Sequence, residues 1–106
     1  MLFRSISLNK VRPGLSVPFS HSHKENEEVY IFVGGSGQMQ IDGQVIEVSE
    51  GSVVRVAPGG VRTWRNTSDQ DLYYIVIQAR ENSLRQHTLE DGVVAQEAPI
   101  WPELEK

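Results

Sequence analysis

Closely spaced glycine, proline and aspartate residues divide the chain into short apolar runs, and this pattern leaves little room for helices. Residues 29–33 are β-branched or aromatic, which is typical of a buried strand. Asp42 and Gly43 separate two alternating runs and predict a two-residue hairpin, because Gly accepts the positive φ of a type I′ turn. The runs taken as strands are residues 1–8, 29–33, 38–41, 44–48, 52–56, 61–65 and 72–78. Strands at this spacing predict an all-β sandwich or barrel.

The length and composition set limits on the functional class. The chain has 106 residues, of which 39% are hydrophobic, and this is enough for one core. It lacks a run of about 18 apolar residues, so we expect neither a membrane-spanning helix nor a membrane partner. The first eight residues alternate in character and do not form the apolar core of a secretory signal.

Charge and cysteine content narrow the partners further. The formal net charge is -4 and no basic block occurs, so we do not expect binding to nucleic acid. Cysteine is absent, which excludes disulfides and thiolate ligands and is compatible with the cytoplasmic location that we expect.

The organisation expected from the sequence is a single domain over residues 1–97 and an irregular, Pro- and Glu-rich tail over residues 98–106. Only residues 81–86 have a weak helical pattern.

Two histidines and a carboxylate precede the strand at residues 29–33. His21 and His23 are separated by one residue, so in an extended backbone their side chains point to the same side. Imidazole and carboxylate ligands suit Fe, Mn, Zn, Ni and Cu. The spacing therefore allows a metal site formed with Glu28, whereas a polar turn of solvated side chains is the commoner origin of so short a motif.

Two motifs resemble those of the cupin family. His21-x-His23-x4-Glu28-x6-Gly35 is similar to the first cupin motif, and Gly51-x6-Pro58-x-Gly60 followed by Asn66 is similar to the second. The resemblance covers roughly residues 11–80. It implies a double-stranded β-helix, or jelly-roll barrel, with a ligand pocket inside, and it implies that His21, His23 and Glu28 are metal ligands.

The sequence departs from this family at one position. The second cupin motif normally supplies a third histidine between the Pro-x-Gly turn and the Asn. The position of this histidine corresponds to Thr63 when it is counted forward from Gly60, and to Arg62 when it is counted back from Asn66. The remaining histidine, His87, lies beyond the last expected strand and cannot be carried over from the motif.

Three outcomes are open for this incomplete site. His21, His23 and Glu28 can form a two-His-one-carboxylate face that leaves coordination positions for water or substrate. Alternatively the site is free of metal, and Arg62 pairs with Glu28 or with an anionic ligand. Third, the two histidines only close the mouth of the pocket. Glu27 competes with Glu28 for the ligand role, and the family spacing selects Glu28; Asn26 is more readily a turn residue.

The expected pocket contains residues from three strands, although an outward polar face is the simpler interpretation for Gln40 and a core role for Trp64. These candidates are Tyr30, Phe32, Gln40, Arg62, Thr63 and Trp64. The functional hypothesis is a homodimeric protein whose pocket binds a small polar molecule, with Fe, Mn, Zn or Ni as the metal and dioxygenase- or isomerase-like chemistry. The alternative is a non-enzymatic, metal-free module that binds or senses a small molecule.

Overall fold

The computed structural model describes residues 4–83 and 89–104, and the strands within these residues form two antiparallel sheets. The four-stranded sheet has the order β1-β7-β2-β5, and the three-stranded sheet has the order β4-β3-β6. The strand bounds are β1 Arg4–Val11, β2 Asn26–Gly34, β3 Ser36–Ile41, β4 Gln44–Ser49, β5 Val53–Val56, β6 Arg62–Asn66 and β7 Leu72–Arg80. The predicted all-β barrel fold is confirmed.

The hairpin between β3 and β4 forms where the sequence predicts it. Asp42 has φ 50° and Gly43 has φ 84°, so both central residues adopt the positive φ that a type I′ turn requires. Asp42 Oδ1 also accepts a hydrogen bond of 2.8 Å from the backbone N–H of Val61, which ties the turn to the start of β6.

The core lies between the two sheets. Strand β2 alternates regularly, and its buried residues are Glu28, Tyr30 and Phe32. Apolar contacts join these aromatic side chains to residues of both sheets, because each strand presents alternate residues inward. The buried apolar residues are Tyr30, Phe32, Met39, Val48, Val56, Trp64, Leu72 and Tyr74.

The segment between β1 and β2 crosses to the other sheet without forming a regular strand. Pro13 and Pro18 have no backbone N–H and cannot donate to a ladder. The segment pairs only at isolated bridges, Ser16 with Arg65 and His21 with Arg62.

The first strand ends later in the chain than the predicted run at residues 1–8. It extends to Val11, because Val11 pairs with Leu72 of β7.

Helical structure within the described residues is limited to a 3₁₀ turn at Leu89–Asp91. Glu81 and Asn82 form a turn, Ser83 follows without regular structure, and residues 84–86 of the weak helical pattern lie outside the described residues. Among the residues that the structure describes, no helix has the length and apolar character needed to cross a membrane.

Candidate metal centre

Backbone hydrogen bonds hold the histidine loop against the start of β6. His21 N donates to Arg62 O at 3.0 Å, and Arg62 N donates to His21 O at 2.9 Å. The backbone N–H of Gly59 donates to His23 O at 2.8 Å. The Pro58-Gly59-Gly60 turn and β6 therefore position both imidazoles, which links the two sequence motifs in space.

Glu28 lies on the inward face of β2, in the interior of the barrel. Its exposed fraction is 4%, and its Oε1 accepts a hydrogen bond of 2.7 Å from the hydroxyl of Tyr30. Glu27 lies on the opposite face, where it pairs with Arg55 of β5. The period-two alternation of a strand accounts for this separation of two adjacent carboxylates.

Three donor atoms converge at the end of the barrel. His21 Nε2 lies 3.7 Å from Glu28 Oε1, and His23 Nε2 lies 3.6 Å from the same oxygen. One ligand atom from each of the three residues lies within 4.8 Å of the others. Two imidazole nitrogens and one carboxylate oxygen at this spacing fit a divalent transition metal. The histidine side chains are 29% and 30% exposed, so solvent reaches the site from their side.

Arg62 approaches the same carboxylate from inside the barrel. Its side chain is fully buried, and its Nε lies 3.5 Å from Glu28 Oε1. None of its three guanidinium nitrogens has a hydrogen-bond partner among the described residues. Burying a guanidinium without hydrogen bonds costs free energy. A further acceptor in the site, in addition to Glu28, would therefore stabilise this side chain.

Burial and neighbouring charges shift the pKa values of His21 and Tyr30. The pKa of His21 is lowered, mainly by burial and further by the positive charge of Arg62 and by His23, while Glu28 acts in the opposite direction. A lowered pKa favours the neutral imidazole, which is the form that binds metals. The pKa of Tyr30 is strongly raised by burial and by its hydrogen bond to Glu28, so its hydroxyl remains a donor.

Most of the chain matches the model of one known protein family. The model of the cupin domain matches residues 8–78, which include both motifs and all three candidate ligands. The chain belongs to the cupin family. A search of functionally curated proteins gives no match.

Solved structures agree with this assignment. A cupin protein from Bacteroides fragilis is 41% identical, with a TM-score of 0.82, and the match covers 87% of this chain and 78% of that one. A predicted oxalate decarboxylase from Thermotoga maritima is 25% identical, with a TM-score of 0.67 and coverage of 71% and 64%. A Cupin 2 conserved barrel domain protein from Salinispora arenicola is 27% identical, with a TM-score of 0.64 and coverage of 71% and 61%. This cupin thus spans less than two thirds of the last two proteins.

The structure shows which residue faces the interior where the second cupin motif usually has its histidine. In β6, Arg62, Trp64 and Asn66 are buried, whereas Thr63 points to the other side of the sheet. The inward position is therefore that of Arg62. His87, the remaining histidine of this cupin, lies outside the described residues.

Not all the expected pocket residues face the interior. Tyr30, Phe32 and Trp64 lie in the core with Arg62, and the Tyr30 and Trp64 rings lie 5.1 Å apart. Gln40 and Thr63 are opposite each other on β3 and β6 and face outward, so they do not line the interior with Glu28. They contribute instead to an open cleft of about 300 Å³ on the outside of the three-stranded sheet. The period-two alternation of both strands is the physical reason.

Two further polar side chains support Glu28 and were not singled out as its partners from the sequence. Gln78 of β7 donates to Glu28 Oε2 at 3.4 Å, and it accepts a hydrogen bond of 2.6 Å from Asn26. The signal for Gln78 was its position on the inward face of β7, two residues after Val76.

Proposed function

We propose that this cupin holds a divalent transition metal at His21, His23 and Glu28 and binds a small anionic molecule beside it. The observation that supports the proposal is the convergence of the three ligand atoms within 4.8 Å, at the partly exposed end of the barrel. Of the three outcomes that the sequence leaves open, this one uses all three side chains in the orientation that the fold gives them.

The residues around the ligands have separate tasks. Tyr30 and Gln78 donate to the two oxygens of Glu28 and fix the orientation of its carboxylate. Backbone bonds from Arg62 and Gly59 fix the two histidines. A bound metal supplies Lewis acidity and positions for water or substrate, as in two-His-one-carboxylate oxygenase sites. The enzymatic form of the proposal is dioxygenase- or isomerase-like chemistry on the bound molecule.

The charge balance supports an anionic ligand. Glu28 and Arg62 carry opposite charges 3.5 Å apart and largely neutralise each other. A divalent cation added to this pair gives the site a net positive charge, which favours a negatively charged molecule. The guanidinium nitrogens of Arg62, which have no hydrogen-bond partner among the described residues, offer such a molecule a planar, bidentate partner.

Calorimetric titration of untagged protein with Fe(II), Mn(II), Zn(II) and Ni(II) tests the metal. We expect stoichiometric binding of at least one of these ions, and a steep loss of affinity in His23→Ala because two protein ligands remain. Glu28→Gln should lose affinity as well. The matched control is Glu27→Gln, which removes the adjacent carboxylate on the outer face and should leave binding unchanged. Wild-type protein that binds none of the four ions at millimolar concentration would contradict the proposal.

A specific observation favours a second function, that of a metal-free module that binds or senses an anion. The three nitrogens of Arg62 lack hydrogen-bond partners among the described residues although the side chain is fully buried. In that case His23→Ala leaves the metal content near zero, and Arg62→Ala weakens an anionic ligand. Charge-assisted hydrogen bonds contribute about 1.5–3 kcal/mol, which corresponds to a roughly ten- to hundredfold loss of affinity.

The two functions are distinguished by titrating inorganic phosphate and oxalate with and without a chelator. Binding that requires added metal supports the metal centre, and equal binding in the presence of chelator supports the metal-free module. Circular dichroism of Arg62→Ala and Arg62→Gln establishes whether each variant retains the β fold before its affinity is interpreted.

A further inference from the structure

A further cavity lies between the end of β1 and the segment that follows it. Its volume is about 400 Å³, which is within the range of small-molecule sites, and residues 10–12, residues 15–18 and Tyr74 line it. Gln78, which donates to Glu28, lies four residues after Tyr74 on β7. Four residues of a strand span roughly 13 Å, so this cavity, called here the seam cavity, is separate from the metal ligands.

Hydrogen bonds hold both walls of the seam cavity in place. The turn at residues 12–15 is closed by a backbone hydrogen bond of 3.1 Å, and Gly14 has the positive φ of 74° that a type II turn requires at this position. Asn66 of β6 is buried and joins the two walls. Its backbone N–H donates to Leu15 O at 2.9 Å, and its Nδ2 donates to Val11 O at 2.9 Å. The fold itself therefore forms the cavity, and a ligand does not have to open it.

The rim of the seam cavity carries positive charge. Lys10 and Arg12 contribute to the lining, and both are exposed, whereas the described residues that line the cavity include no carboxylate. Neither cation forms an ion pair within the described part of the chain. Two such cations beside one cavity raise the local concentration of anions and favour an anionic occupant.

The buried end of the seam cavity offers a hydrogen-bond donor. Tyr74 is 5% exposed, and its hydroxyl accepts a hydrogen bond of 2.9 Å from Nε1 of Trp64. The indole N–H only donates, so the hydroxyl proton of Tyr74 has no acceptor among the described residues. Burial raises the pKa of Tyr74, which keeps this proton on the oxygen, although the bond from Trp64 acts in the opposite direction. A buried donor without an acceptor costs free energy, and an oxygen atom of a ligand would remove this cost.

The lining between the rim and the buried end is apolar. Val11 and Val17 are partly buried, and Leu15 is 54% exposed, so an apolar ligand body gains free energy by covering them. We propose that the seam cavity binds a small organic anion. Its acidic group lies at the cationic rim, its apolar body covers these three side chains, and an oxygen at its far end accepts the hydroxyl proton of Tyr74.

Para-acetylbenzoate has this chemistry and serves as the probe, and para-ethylbenzoate, which lacks the carbonyl oxygen, is the matched control ligand. Each is titrated into isotope-labelled full-length protein in the presence of EDTA, and the amide resonances are followed by NMR. We expect saturable shifts at Val11, Leu15 and Val17, with a dissociation constant of about 1 mM or tighter for the probe. The control ligand should bind roughly two- to tenfold more weakly, because it makes no hydrogen bond to Tyr74. The absence of saturable shifts at a tenfold higher concentration, or shifts confined to the metal ligands, would overturn the proposal.

Variants test the rim and the buried end separately. Arg12→Gln should weaken the probe by roughly two- to fivefold, the range for a single exposed charge pair. The control is Arg80→Gln, which removes the same charge at the end of β7, outside the cavity, and should leave the dissociation constant unchanged. An unchanged constant in Arg12→Gln would overturn the proposal.

Tyr74→Phe should bind both ligands with the same affinity, because the preference for the probe depends on the hydroxyl. This comparison holds even where the loss of the Trp64 partner alters the barrel, since both ligands meet the same protein. A preference for the probe that persists in Tyr74→Phe would overturn the proposal. Circular dichroism shows whether the variant folds, and if it does not, the two ligands and Arg12→Gln decide the question.

Discussion

Arg62 is the residue at which this cupin departs most from the family pattern, and its orientation makes the departure testable. Arg62→His removes a positive charge from the site and adds a third imidazole on the inward face of β6. We expect its metal affinity to rise by at least about tenfold, the change that corresponds to 1.4 kcal/mol. Calorimetric titration measures this directly.

Thr63→His is the control for that substitution. The new imidazole would lie on the outward face of β6, so we expect the metal affinity to stay at the wild-type value. Equal affinities of Arg62→His and wild type would contradict the placement of the metal beside Arg62.

Tyr30 is expected to act through Glu28. Tyr30→Phe removes the hydrogen bond of 2.7 Å that orients the carboxylate, and it leaves the ring in the core. Loss of such an outer partner lowers metal affinity by roughly ten- to hundredfold, and a hydrogen bond to a charged group contributes about 1.5–3 kcal/mol to stability. Titration and urea denaturation test the two effects.

Tyr73→Phe provides the comparison for Tyr30→Phe. Tyr73 is partly exposed and its hydroxyl makes only a 3.4 Å contact with Asp71, so we expect little change in either property. Similar losses in the two variants would show that Tyr30 has no special role in orienting Glu28.

The protonation of His21 predicts a pH dependence of the metal-free protein. Its pKa in the folded state lies below the ordinary value of about 6.5, chiefly because of burial. Below pH 6.5 the unfolded chain therefore binds more protons than the folded protein, and the free energy of unfolding decreases as the pH falls. An NMR titration of the His21 imidazole should give a midpoint below 6.5, and a midpoint above 6.5 would contradict the burial of the ring.

At the scale of the strands, close approach of two backbones constrains β3. A Cβ at Gly37 would lie 2.3 Å from the carbonyl oxygen of Arg65, which no side-chain movement can relieve. We expect Gly37→Ala to lower the free energy of unfolding by about 1–3 kcal/mol. Gly34→Ala is the control, because its Cβ would meet only the Tyr73 side chain at 3.6 Å. Urea denaturation of both variants measures the difference.

The strands show how far local pattern determines structure. The apolar run at residues 29–33 was sufficient to predict the centre of β2, and alternation with the Asp42-Gly43 turn predicted β3, β4 and the hairpin, because these elements depend on neighbours in sequence. Counting from Gly60 and from Asn66 did not decide whether Arg62 or Thr63 faces the interior. Which residues of β6 point inward depends on the long-range bridge from Arg62 to His21. Gln40 lies opposite Thr63 and faces outward as well, which the alternation of β3 already favoured.

At the scale of the whole molecule, the family and the barrel follow from the sequence, whereas the site depends on distant contacts. Glu28 was identified from the motif spacing, but the convergence on it of Tyr30, Gln78 and Arg62 requires the pairing of β2 with β7 and the closure of the barrel. The expected boundary between a domain at residues 1–97 and a tail at 98–106 stays a prediction.

Anomalous diffraction from crystals grown with Zn(II) or Mn(II) shows whether His21, His23 and Glu28 hold a divalent metal. We expect an anomalous peak between the Nε2 atoms of the two histidines and Oε1 of Glu28, and no peak at this position in Glu28→Gln. A wild-type crystal without a peak there, at metal concentrations that saturate ordinary sites, would contradict the claim.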